Sequence, residues 1–141
     1  MDKITAQRTS IIQAIEALFF ALDEYDSARK DPSCSEQRVI LMRSGLIQHF
    51  ECASDLLWKV VATYLKTVHG VNLTATSPKI VARAACNAQI LTEKEADNAL
   101  TIIDDRNLTS HTYDSAAAEE IAQRIPKYAK LMHTILDRVK Q

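Results

Sequence analysis

The sequence predicts an all-α domain, an up-and-down antiparallel four-helix bundle with one additional short helix. Three observations lead there. Only two glycines and three prolines interrupt 141 residues, which leaves long runs free of helix breakers. Apolar residues recur at steps of three, four and seven along most of the chain, the period of one helix face. The polar or proline-containing stretches between these runs are short or moderate, which favours antiparallel neighbours.

In the first segment Ile4, Ile11, Ile15, Leu18, Leu22 and Tyr25 form one stripe, with Arg8, Gln13, Glu16 and Asp23 on the other side. This predicts a helix over about residues 3 to 29, ended by Lys30-Asp31-Pro32-Ser33 because proline cannot continue the hydrogen-bonded ladder. A longer stripe runs from Ser35 to about His69 through Val39, Met42, Leu46, Phe50, Leu57, Val60, Tyr64 and Val68, and Gly70 supplies a C-terminal stop. Ser77-Pro78 is an N-cap followed by proline at the first helical position, and it opens a short helix through Ile80, Val81, Ala84 and Ala85. Thr92 with Glu95 forms a capping box for a fourth helix that buries Ala96, Leu100 and Ile103. Asp114 or Ser115 caps a fifth, carrying Ala118, Ile121, Ile125, Tyr128, Met132, Ile135 and Val139, with Pro126 expected to kink it.

Residues 1–141 read as one domain, large enough to bury a core, since about 70% of the unfolded surface is removed from water at about 150 residues. Seventeen Lys and Arg against 18 Asp and Glu give a net charge of -1, so no global positive field attracts a polynucleotide and any RNA contact is local. The opening MDKITAQRTS lacks an apolar signal segment, and IEALFFAL is broken by charge far short of spanning length. A soluble, cytoplasmic chain with no membrane partner is expected. Cys34, Cys52 and Cys86 have no C-x-x-C spacing and read as reduced, structural thiols.

Two isolated glycines rule out a Gly-rich phosphate loop, and neither H-E-x-x-H nor G-x-S-x-G occurs. A self-contained NTPase, zinc hydrolase or α/β-hydrolase is thereby disfavoured, and no metal or other cofactor is expected. His49, His69 and His133 fall on amphipathic helices or a helix end, where packing or capping is the ordinary role. Trp58, Lys59 and Tyr64 lie close together on the longest helix. They line a nucleotide groove or, for the two aromatics, simply belong to the core.

The stretch "DRNLTSHTYD", residues 105–114, stands apart because its polar residues arrive where the fourth helix should end. On a continuous helix His111 lies about 140° around from Arg106, and termination near Ser110 would let it fold back. Arginine offers a planar fork matched to phosphate, and histidine titrates near neutrality. Together they suffice for metal-free attack of an RNA 2'-hydroxyl on its adjacent phosphate, with histidine as base and arginine stabilising the phosphorane. An ordinary salt bridge from Arg106 to Asp104 or Asp105, with His111 as a helix cap, satisfies the same spacing.

These residues resemble the signature of the nucleotidyltransferase substrate-binding protein family, a branch of the HEPN superfamily that includes HepT-type toxins. "FECASDLLWKVVATYL" is similar to the family's F-E...L-x-W-K...Y-L helix, and "SPKIVARAACNAQIL" to its S-P-led short helix. The resemblance runs from about Ile11 to Leu136. It implies a helical bundle that forms a homodimer with two R-x4-H-x-Y motifs facing one cleft. Carried over, Arg106 would hold the scissile phosphate, His111 would act as acid and base, and Asn107 and Asp105 would support them. It also implies a partner, a minimal nucleotidyltransferase antitoxin that transfers AMP to Tyr113. A milder implication is a non-catalytic subunit that presents substrate to that nucleotidyltransferase.

Overall fold

Four of the five helices start where a side chain accepts from a free amide of the first turn. In the computed structural model, which describes residues 2–111 and 114–139, Asp2 accepts from the Thr5 amide at 2.8 Å and opens α1 (Lys3–Lys30). Ser35 accepts from the Arg38 amide at 3.1 Å and opens α2 (Glu36–Thr67). Proline occupies the first position of α3 (Pro78–Asn87), although the Ser77 hydroxyl makes no capping bond. The Thr92 and Glu95 capping box closes in both directions at the start of α4 (Glu93–Leu108). Asp114 accepts from the Ala116 amide at 3.0 Å at the head of α5 (Ser115–Val139), which runs through Pro126 as one unbroken helix.

The ends are as local as the starts. Gly70 has φ +65° and the Val71 amide reaches back to the Leu65 carbonyl at 2.9 Å, ending the α2 segment. Beyond α3 the left-handed position is held by Gln89, with φ 64°. There the Gln89 amide bonds the Cys86 carbonyl at 3.0 Å and the Ile90 amide bonds Ala85 at 2.9 Å, the pattern in which glycine is the usual occupant.

Side-chain contacts fix the directions of the helices. Arg43 near the start of α2 meets Ser115 at the start of α5, and Arg138 near the end of α5 meets Glu95 at the start of α4. Helices α4 and α5 therefore run antiparallel, and so do α1 and α2, joined by the short turn 31–35. The architecture is the expected bundle, with α3 as the short extra helix. Helix α2 lies in the middle and packs on α1, α3, α4 and α5. Its Leu46, Phe50, Leu57, Val60, Val61 and Leu65 are fully buried, and Phe50 stacks on Tyr128 of α5 with centroids 5.8 Å apart. All seven positions of the predicted α5 stripe are buried.

At the far end from the motif Arg138 grips Glu95 through both carboxylate oxygens, at 2.7 and 2.9 Å, and donates to the Ile90 carbonyl at 2.9 Å. The Arg138 hydrogen bonds, helped by the Thr92 amide, hold the Glu95 carboxyl down from 4.5 to about 2. A carboxylate with a lowered folded-state pKa contributes its stability fully above the unfolded value and loses it as pH falls through the folded one. Wild type should therefore melt above Glu95→Gln at neutral pH, and the gap should close between pH 4.5 and about 2. Melting curves across that window check this; a gap that persists at the acid end contradicts it.

Candidate active site at the end of α4

The last turn of α4 carries three consecutive charged residues that point to three different helices, as steps of about 100° require. Asp104 pairs with Lys79 of α3 at 2.6 Å. Asp105 is buried and accepts from Arg124 at 2.7 and 3.0 Å and from the Tyr128 hydroxyl at 2.6 Å, both on α5. Arg106 turns to α2. Its Nε and Nη2 each donate to Asp55 at 3.0 Å, and its Nη1 donates to Glu51 at 3.0 Å and to the Thr109 hydroxyl at 3.2 Å.

The arginine is thereby held on both edges. The Thr109 hydroxyl lies 3.0 Å from Glu51 Oε2 and 2.6 Å from the Arg106 carbonyl and gives its single proton to one or the other, which keeps the helix end beside the same carboxylate. Hydrogen bonds to Asp55 raise the Arg106 pKa further above its ordinary value, so the guanidinium is a permanent charge. Four of its five N–H groups are committed, and one on Nη2 remains for a ligand. At Asp105 the guanidinium of Arg124 is likewise pushed up. Burial, followed by the Asp105 hydrogen bond, drives the Tyr128 phenol up to about 12, so it stays protonated as a donor.

The salt bridge of Arg106 thus forms with Glu51 and Asp55, and the sequence-local partners Asp104 and Asp105 are both engaged elsewhere. Asp105 does not touch Arg106. Its side-chain hydrogen bonds, all to α5, make it an anchor of the α4 turn that carries Arg106. Asn107 is exposed on the same turn. Helix α4 ends at Leu108 and tightens into a 3-10 turn, Thr109–His111, so the expected end near Ser110 is a tightening through His111. The backbone of His111 closes that turn. Its side chain lies outside the described residues, as does Tyr113 altogether.

The three residues expected to share a groove on α2 do not share one. Trp58 and Tyr64 are 2% and 7% exposed and belong to the core, whereas Lys59 is exposed beside Lys3, Gln7 and Lys66. Adjacent residues on a helix face directions about 100° apart, so Trp58 buried on the inner face turns Lys59 outward. His49 and His133 are exposed, and His133 sits edge-on to Phe19 and 3.5 Å from Asp137. His69 packs on Tyr64 beyond the end of α2. Cys34, Cys52 and Cys86 are free, with Cys52 exposed. Among the described residues no helix is long and apolar enough to cross a membrane.

Sequence reasoning missed Glu51 and Asp55, the residues that seat Arg106. Their signal was an acidic pair four apart on an otherwise apolar stretch of α2, which places both on one face. Which helix lies opposite that face is not written in the local spacing.

The chain belongs to the nucleotidyltransferase substrate binding protein like family, whose model matches residues 7–141. A crystal structure of a Thermus thermophilus protein is 34% identical, aligned over 88% of this chain and 99% of its own, with a TM-score of 0.69. The tri-AMPylated Shewanella oneidensis HEPN toxin, solved in complex with the MNT antitoxin, has a TM-score of 0.72 at 11% identity over 99% of this chain and 98% of its own. A toxin-antitoxin structure with AMP-PNP has a TM-score of 0.68 at 11% identity over 99% of this chain and all of its own. At that identity the likeness to these two is one of fold. Comparison with curated protein sequences finds no match.

Proposed function

We propose that this protein is a HEPN-type, metal-independent endoribonuclease toxin, neutralised when a partner minimal nucleotidyltransferase transfers AMP to Tyr113. The observation that carries the reading is Arg106, fixed by Glu51, Asp55 and Thr109 five residues before His111 in the intact motif. His111 takes the proton of an RNA 2'-hydroxyl, whose oxygen attacks the adjacent phosphorus. The 5'-oxygen leaves with the proton returned by the imidazolium, giving a 2',3'-cyclic phosphate and a free 5'-hydroxyl. Arg106 stabilises the extra charge on the phosphorane, and Asn107 lies exposed beside it to contact the substrate.

The site works as a pair of copies. Leu108 is 53% exposed on the last turn of α4, and a two-fold contact that covers it would bring two motifs together. The fold likeness to an AMPylated HEPN toxin bound to its MNT antitoxin supports the partner and the modification. The family's description as substrate binding favours a second reading. In it the chain is a non-catalytic subunit that presents substrate to the nucleotidyltransferase, and the committed N–H groups of Arg106 serve only to hold α4 on α2.

Expression alone separates the two. The toxin reading expects growth arrest that disappears in His111→Ala and on co-expression of the neighbouring nucleotidyltransferase. Normal growth at full expression of soluble, unmodified protein favours the subunit reading.

A further inference from the structure

Four arginines make cross-helix contacts in this bundle, and three rest on carboxylates: Arg106 on Glu51 and Asp55, Arg124 on Asp105, and Arg138 on Glu95. Arg43 does not. It is 9% exposed, and its one hydrogen bond joins Nη2 to the neutral Ser115 hydroxyl at 2.9 Å. Among the described residues no carboxylate lies within ion-pair distance of it. The Arg43 side chain is largely covered, yet none of its nitrogens is among the fully buried polar atoms without a partner, so its unbonded N–H groups keep contact with solvent and can be reached by a ligand.

Arg43 lines a groove of about 630 Å³ together with Ser115, Thr109, Glu51, Ile40 and Ile47. The groove therefore reaches the residues that seat Arg106. Among the described residues Arg43 keeps four N–H groups uncommitted, against one on Arg106. Glu51 is the acid in the groove, and its Oε2 is already taken by Arg106 and Thr109. Eight residues of helix, about 12 Å of rise, separate its backbone from that of Arg43. Asp114 caps α5 through the Ala116 amide, which puts a carboxylate at that helix end.

We propose that Arg43, oriented by Ser115, is a phosphate-binding subsite that holds an RNA phosphodiester next to the one cleaved. The inference rests on the reading of the motif site as one that takes RNA, and it adds the residue that supplies the positive charge Arg106 has largely spent on Glu51 and Asp55. Ile40 and Ile47 give the same groove an apolar wall against which a sugar or base can lie.

The test is binding of a 2'-O-methylated diribonucleotide, which carries a phosphodiester and cannot be cleaved, to the unmodified full-length protein. In the wild type the Arg43 side-chain NMR signals should shift saturably, and at lower concentrations than with inorganic phosphate. Arg43→Gln should weaken binding by about tenfold or more, and Arg43→Lys, which keeps the charge without the fork, by less. Arg43 signals unmoved by millimolar dinucleotide, or equal affinity in folded Arg43→Gln, overturns the subsite. Inorganic phosphate binding as tightly as the dinucleotide overturns its assignment to RNA. Arg43-dependent binding in a protein that cleaves no RNA keeps the subsite and refutes the nuclease, so the two claims fail separately.

Discussion

If the proposed function holds, co-expression with a partner minimal nucleotidyltransferase is expected to yield this protein with a mass increased by one or more AMP units, and Tyr113→Phe to yield it unmodified. Each transfer forms a phosphodiester between the tyrosine oxygen and the α-phosphorus of ATP and releases pyrophosphate. The product places a negative charge and an adenosine two residues from His111. Repulsion of an incoming phosphate and plain bulk both act against RNA binding. Cleavage by the modified protein should fall to background, and the Tyr113→Phe protein should remain active in the presence of its partner. Intact-mass spectrometry with a parallel cleavage assay reads both. Modified protein that still cleaves RNA at the unmodified rate rules out this form of control.

The second large effect is expected at Arg106. Arg106→Ala should lower RNA cleavage by about 10² to 10³, the usual loss when one preorganised charge on a transition state is removed. Arg106→Lys should recover little, because one ammonium cannot face Asp55 with two parallel donors while also reaching Glu51. Asp55→Asn keeps the size of the side chain but weakens the grip, and a misplaced guanidinium should cost cleavage about tenfold or more. Asp55 has a half-exposed side chain, so the accompanying loss of stability should stay near 1 kcal/mol. Single-turnover rates alongside melting curves separate the two effects. An Asp55→Asn rate that changes only in proportion to unfolded protein would reduce the acidic pair to a structural clasp.

The helices were legible because their signals are local. The capping pair Thr92 and Glu95, the Ser77-Pro78 start and the α5 stripe each lie within one element, and each is found where it was read. The α2 stripe was read too narrowly. Ala53, Val61 and Leu65 are fully buried as well, since a helix with four neighbours has little face left for water. The site was legible as a set of residue types and not as a set of contacts. Arg106 lies 55 and 51 residues from Glu51 and Asp55, and Asp105 lies 19 and 23 from Arg124 and Tyr128. Spacing along one helix says nothing about which acid faces which base across a bundle. Trp58 shows the converse, an aromatic next to a lysine that joined the core because the helix turned it inward.

Two carboxylates fix the Arg106 guanidinium in place at the cost of most of its donors, so under the proposed function a near-neutral chain would act on an anion through position and a second cation more than through a wide basic field. A short, locally held RNA suits such a site better than a long backbone track.

Metal-free cleavage of RNA by the unmodified protein is the measurement that tests the central claim most directly, made with excess chelator and with His111→Ala alongside. The account predicts fragments ending in 2',3'-cyclic phosphate and a rate lower by about 10² to 10⁴ in the variant, the range lost with a general acid-base. Cleavage at the same rate in folded His111→Ala, or none by folded, unmodified wild type, would contradict it.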